Sequence, residues 1–208
     1  MNTWLIVDYG GVLAEDHVAR AEFELSNALG AQAGVVRDAL SEKSLNGRSL
    51  RLDRMSELEF WNAICREICP IGFSFPPAEE LTRLWANCYA IRPDVADILC
   101  EVQSLGVSIG IATNVDRYRE QYLLDELARS SMIPTVWSSY KIGFLKPSVD
   151  YFLHIESEIS RNRGQPRCLY VDDRQTHVDA ASTIGWTALK ASHAEHIRVW
   201  LKHQNVLK

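Results

Sequence analysis

Positive charge is what this sequence has least to spare. Its 22 Lys and Arg stand against 27 Asp and Glu, a formal net charge of −5 over 208 residues. A nucleic-acid or anionic-membrane partner needs a basic face, so neither partner is expected. No run approaches the ~20 apolar residues that span a bilayer. No basic lead-in precedes the first apolar run and no Asn-x-Ser/Thr sequon occurs, so the expectation is a cytoplasmic protein without a secretory leader. The five cysteines (Cys65, Cys69, Cys88, Cys100, Cys168) are odd in number and form no CxxC. They read as reduced thiols rather than a disulfide framework. Cys65 and Cys69 have the spacing of one helical face, but no matching pair completes a zinc site. Glycine and proline are modest at 11 and 7, and 47 % of residues are hydrophobic. Disorder, collagen and low complexity are thereby excluded.

What is present is a chain of about 1.4 typical domain lengths, which favours one core with a large insertion. Short Val- and Ile-rich runs at 4–7, 107–112, 135–137, 168–171 and 187–189 are the strand candidates. Several lack in/out alternation, as suits strands covered on both faces of a parallel sheet. Amphipathic stretches separate them. Pro93 opens one helix whose apolar stripe is Val95, Ile98, Leu99, Val102 and Leu105, and Gly106 closes it. Others run from Ser148 to Ile159, from after Asp173 to Gly185, and from a Ser192/Glu195 capping-box pair with Ile197, Trp200 and Leu201 inward. This alternation predicts an α/β fold with a doubly wound, Rossmann-like parallel sheet.

Residues 15–91 break the rhythm. They contain no good strand and read as three or four helices. One starts at a Ser56/Glu59 capping box and carries Leu58, Trp61, Cys65 and Ile68; another follows Pro76-Pro77 and carries Leu81, Leu84, Trp85 and Cys88. The expected division is a core of 1–14 and 92–208 with a helical cap of 15–91.

Ligands of open α/β sheets bind beyond the carboxyl ends of the strands. The first strand candidate is followed by Asp8, the second by Thr113 and Asn114, the fourth by Asp172 and Asp173. Between the last two, Lys146-Pro147 leads into a helix, with Lys141 a nearby competitor. Each feature alone is an ordinary turn or helix cap. In this order they deliver an acid, a hydroxyl–amide pair, a lysine and an acid pair to one edge of the sheet.

In this order and context the segments LIVDYGGVL, IGIATN, GFLKP and LYVDDRQTHVDAASTIGW resemble the four motifs of the haloacid dehalogenase-like hydrolase superfamily. The likeness extends to the branch with a helical cap after the first motif, and within it to the small sugar-phosphate (glucose-1-phosphate-type) phosphatases. It implies a magnesium-dependent phosphatase acting on a small phosphorylated metabolite. Asp8 would attack phosphorus and form an aspartyl-phosphate that water cleaves. The cofactor Mg²⁺ would take Asp8, the main-chain carbonyl of Gly10, Asp172 and Asp173, the last directly or through water, an oxygen set suited to that ion. Thr113 and the amide of Asn114 would hold phosphoryl oxygens, and Lys146 would neutralise charge.

The departure is Gly10. Most phosphatases of that superfamily have there a second aspartate, which protonates the leaving alcohol and later activates water. Such help is worth roughly two to four orders of magnitude. Its absence points to an activated substrate, such as a sugar 1-phosphate, or to a substitute acid among Glu15, Asp16 and His17. Those three read more simply as a polar hinge and helix start. Two other functions stay open. One is a catalytically impaired homologue that binds a phosphate ligand or partner; the other is a 2-haloacid dehalogenase. The dehalogenase form of the first motif has tyrosine two residues after the nucleophile and threonine two beyond, whereas here Tyr9 is one after and Val12 takes the threonine place.

The remaining polar residues have blander readings. His193 and His196 look like surface groups, and His154 and His177 like helix residues with no evident partner. Trp61 and Trp85 pack or line a pocket. Arg48, Arg51 and Arg54 form a solvated cap face or meet a second anionic group of the substrate, and Arg117 and Arg174 follow the second and fourth motifs closely.

Overall fold

The computed structural model describes residues 2–16, 18–87, 89–130, 132–161 and 164–208, with Asp16 and Val18 described by main chain alone. The chain opens on β1 (Thr3–Val7), turns into β2 (Ala14–Asp16), and then runs through α1 (Val18–Leu29), α2 (Ala33–Leu40), α3 (Leu45–Arg51), α4 (Glu57–Ile68) and α5 (Ala78–Ala86). Strand β3 (Tyr89–Ile91) returns antiparallel to β2. Helices and strands then alternate: α6 (Pro93–Ser104), β4 (Ser108–Thr113), α7 (Arg117–Ala128), β5 (Thr135–Ser138), α8 (Ser139–Ile142), α9 (Val149–Ser160), β6 (Arg167–Asp172), α10 (Gln175–Thr183), β7 (Thr187–Lys190) and α11 (Ala194–His203).

The expected sheet is present. Five parallel strands lie in the order β5-β4-β1-β6-β7. Successive side chains of a strand point to opposite faces, and both faces here are covered. Leu5, Val7, Ile109, Ile111, Leu169 and Val171 pack with the apolar sides of α6, α7 and α11. Ile6, Ala112, Cys168 and Tyr170 pack with α9 and α10 through residues such as Phe152, Ile155 and Ala181. Burying both faces explains why these strands read as continuous apolar runs.

Helices α1–α5, inserted after the first strand, have a core of their own in which Leu25, Leu29, Phe60, Trp61, Ile64 and Leu81 are buried. The capping box at Ser56 and Glu59 forms as expected. Several expectations for this interval need correcting. The insertion has five helices, and it is bounded by a two-stranded ribbon, β2 with β3, that three-residue strands did not announce. Leu58 lies outward at 62 % exposure, and Phe60 and Ile64 take the interior places beside Trp61 and Cys65. Cys88 lies outside the described residues.

Two helix details also differ. Leu105 is the C-cap of α6, outside its last helical turn, and is exposed. The Ser192/Glu195 box does not form: α11 begins one residue later, with His193 at its N-cap, while the Ser192 carbonyl accepts from Arg92. Among the described residues, no helix is long and apolar enough to cross a membrane.

Candidate active site

The three central strands decide what meets at the edge of the sheet. Strand β1 lies between β4 and β6; the chain leaves β1 toward β4 and leaves β6 toward β7 on the opposite side, so a crevice opens at their carboxyl ends. Asp8 follows β1, Thr113 ends β4 and Asp172 ends β6. All three are buried. The apolar strands thus carry polar groups to one place without exposing the sheet.

Lys146 arrives from the loop between α8 and α9, 2 % exposed. Its Nζ lies 2.9 Å from Asp8 Oδ1 and 2.8 Å from Asp172 Oδ2, and donates to Tyr170 Oη at 3.2 Å. Lys141, the competitor, pairs instead with Glu120 and is half exposed. Asn114 explains how Lys146 is held. Its Oδ1 accepts from Lys146 N at 2.8 Å and its Nδ2 donates to Lys146 O at 2.9 Å, and also to Glu42 Oε2 at 2.9 Å. The side-chain amide is therefore committed to the lysine loop and to α2's carboxyl side.

The electrostatics follow from three acids around one ammonium. Burial pushes the Asp8 carboxyl up to about 7, with the negative Asp172 adding to the effect and Lys146 opposing it. Burial would raise Asp172 too, but Lys146 and His177 outweigh it and hold that carboxyl far below the ordinary range. Burial and the Asp172 charge raise Asp173. Asp173 Oδ1 is buried without a hydrogen-bond partner, an arrangement that costs free energy unless a further group meets it. Gly11 belongs to the same corner. It has φ +81°, and a Cβ there would meet Asp173 Oδ2 at 2.9 Å, so glycine suits both its backbone and its neighbour.

These residues fit a hard divalent cation. Asp8, Asp172 and Asp173 offer oxygen donors, with His177 adding a nitrogen, the carboxylates outnumber the ammonium, and Asp173 Oδ1 is buried and unmatched. Atoms of Asp8, Asp172 and His177 lie within 4.8 Å of one another. His177 corrects the expectation that it has no partner. Its Nδ1 is 3.0 Å from each Asp172 oxygen, which orients that carboxylate. Its place five residues after Asp172, at the start of the next helix, was the available signal.

Above Asp8 is a cavity of about 520 Å³ whose wall includes Gly10, Thr113, Asn114, Tyr89, Arg51 and Arg119. A second space of about 770 Å³ adjoins it, sharing Glu42, Arg51, Tyr89, Lys146, Arg174 and His177. Arg174 Nη1 is 2.6 Å from Glu42 Oε1, tying α10's start to the insertion. Arg48 and Trp85 line the second space. Trp61 packs internally and donates to Thr82, and Arg117 pairs with Asp53 at the surface. Glu15 is exposed in β2, while the Asp16 side chain and His17 lie outside the described residues.

No family model matches this sequence, and no curated protein does. Solved structures do. One is a HAD family enzyme from Bacteroides thetaiotaomicron in complex with magnesium and inorganic phosphate, with TM-score 0.69 and 12 % identity over 91 % of this chain and 93 % of that one. Another is a predicted HAD-like family hydrolase from Porphyromonas gingivalis, TM-score 0.68, 20 % identical, covering 91 % and 90 %. A third is an L-2-haloacid dehalogenase, TM-score 0.61, 12 % identical, covering 90 % and 83 %. The fold is therefore haloacid dehalogenase-like, and it is one that hosts more than one chemistry.

Proposed function

We propose that this chain is a magnesium-dependent phosphatase of a small phosphorylated metabolite, with residues 15–91 acting as a cap over a core of 1–14 and 92–208. The observation that carries the reading is the placement of Asp8 at the base of the cavity, held by Lys146 and flanked by Thr113 and Asp172. The solved relative crystallised with magnesium and phosphate supports it, since its chain has the same fold.

In this reading Asp8 is the nucleophile. Its carboxylate oxygen bonds to phosphorus while the bond from phosphorus to the ester oxygen breaks, and that oxygen departs with the electron pair. Water then attacks phosphorus, releasing phosphate and the free carboxylate. Lys146, Thr113 and the main-chain N–H of Asn114 stabilise the transferring oxygens. Asp8, the Gly10 carbonyl, Asp172 and Asp173 would hold Mg²⁺, which supplies charge neutralisation between carboxylate and phosphate. His177 keeps Asp172 aimed. No side chain at position 10 protonates the leaving oxygen, so esters with an acidic leaving group, such as sugar 1-phosphates, are the favoured substrates.

A second reading rests on a specific contact. The Tyr89 ring, 3.1 Å from a Cβ placed on Gly10, crowds the place where the usual acid would attach, which suits a homologue that would bind a phosphate ligand without turnover. Hydrolysis of p-nitrophenyl phosphate with magnesium separates the two. Turnover that disappears in Asp8→Asn and on chelation of the metal supports the phosphatase; no turnover by the wild-type protein supports the binder.

A further inference from the structure

Two arginines from distant parts of the chain meet at the upper wall of the cavity. Arg51 ends α3 in the insertion, and Arg119 lies in the first turn of α7. Both are buried, at 8 % and 6 % exposure. Both guanidinium groups lie against the indole of Trp85, Arg119 at 3.5 Å from the ring centroid and Arg51 at 5.2 Å. Such stacking holds the planar groups while leaving their N–H edges available.

The local charges do not balance. Arg119 Nε is paired with Asp116 Oδ2 at 2.6 Å, but its Nη2 is buried with no hydrogen-bond partner. Among the described residues, Arg51 pairs with no carboxylate. Its Nη1 donates to the carbonyls of Leu40 at 3.1 Å and Gly47 at 2.8 Å. The nearby Glu42 is engaged by Arg174 and Asn114. The arginine pair thus sets two buried cations against one carboxylate in direct contact, Asp116, with Glu42 acting on Arg51 at longer range. Such an arrangement is costly in a protein interior unless an anion joins it. Burial and the neighbouring Arg119 accordingly bring Arg51 down to about 10.

We propose that Arg51 and Arg119, with Trp85 as their platform, form a second anion subsite, so that the substrate carries a carboxylate or a second phosphate besides the phosphoryl group placed at Asp8. The subsite deepens the phosphatase reading and rests on it for the orientation of the substrate. An arginine fork binds either anion through paired N–H groups. Charge-assisted hydrogen bonds of this kind correspond to roughly tenfold to a hundredfold in affinity.

A matched pair of ligands tests this. 3-Phosphoglycerate has a carboxylate where glycerol 3-phosphate has a hydroxymethyl group. Calorimetric titration of the full-length Asp8→Asn protein with magnesium should give at least about tenfold tighter binding of 3-phosphoglycerate. The ratio should fall to near one in Arg51→Gln and Arg119→Gln backgrounds and be retained in part in Arg51→Lys, which keeps the cation if the fold tolerates only a conservative change. Equal or undetectable binding of the two ligands overturns the subsite, as does a preference that survives both glutamine variants. Turnover of p-nitrophenyl phosphate by the wild-type protein is a separate readout. Its absence overturns the phosphatase reading, while the calorimetric ratio still decides the subsite.

Discussion

Tyr89 fills the space beside Gly10, its Cε1 3.1 Å from where a Cβ at that position would lie. Any side chain at position 10 would have to displace this ring by a few tenths of an ångström, so the β2–β3 ribbon that delivers Tyr89 bears directly on what can stand there. Gly10→Asp alone should crowd the tyrosine ring and give little. Gly10→Asp with Tyr89→Ala should hydrolyse an alkyl phosphate at least tenfold faster than Tyr89→Ala alone, within the two to four orders that general acid–base help supplies. Steady-state rates on alkyl and aryl phosphates check this, and an unimproved double variant contradicts it.

Lys146 is the one cation bridging Asp8 and Asp172 in the described structure. Lys146→Met leaves two buried carboxylates facing each other. Removing one partner of a buried pair costs about 3–5 kcal/mol, so its urea midpoint should drop well below that of the wild-type protein. A midpoint unchanged from wild type would show that these contacts contribute little.

His177 acts through Asp172. Among the described residues, His177→Ala removes the one partner that contacts both Asp172 oxygens, leaving Lys146, Tyr170 and the Arg174 N–H, and loss of such an outer partner typically costs 10–100-fold in metal affinity. The magnesium concentration giving half-maximal turnover should rise by about that factor, with a smaller change in kcat at saturating metal. An unchanged half-saturation value would assign His177 a packing role.

Asp116 links pH to stability. It caps α7 through the N–H groups of Tyr118 and Arg119 and pairs with the Arg119 side chain. Burial alone would raise its carboxyl, but these partners outweigh it, so the folded value lies below the ordinary one. The unfolded state thus takes up the proton first as pH falls. The contribution is complete above the ordinary carboxylate range near pH 4 and is lost as pH drops through the depressed folded value. Denaturation curves between pH 3 and 7 should converge for wild type and Asp116→Asn at the acid end. A constant gap at every pH would contradict the assignment.

The sheet was legible because its strands are apolar throughout and end in polar residues. The run before Asp8, the run before Thr113-Asn114 and the run before Asp172-Asp173 each declared a strand and its chemistry together. Less visible were groups that reach the site through the fold alone. Tyr89 sits in a three-residue strand too short for a periodic signal. Helix α7 buries Arg119 and Glu120 beside Leu123 and Leu127, so its inward face carries charges that a hydrophobic pattern counts as solvent-facing. Glu42 is a polar loop residue in sequence, and only packing of the insertion brings it to Asn114 and Arg174.

In the proposed reaction Asp8 carries the phosphoryl group. Wild-type protein mixed with p-nitrophenyl phosphate and magnesium, quenched in acid and digested, should yield an Asp8-containing peptide heavier by one phosphoryl group. Asp8→Asn should yield none. Release of p-nitrophenol with the Asp8 peptide unmodified at every quench time, at a rate unchanged in Asp8→Asn, would contradict the account.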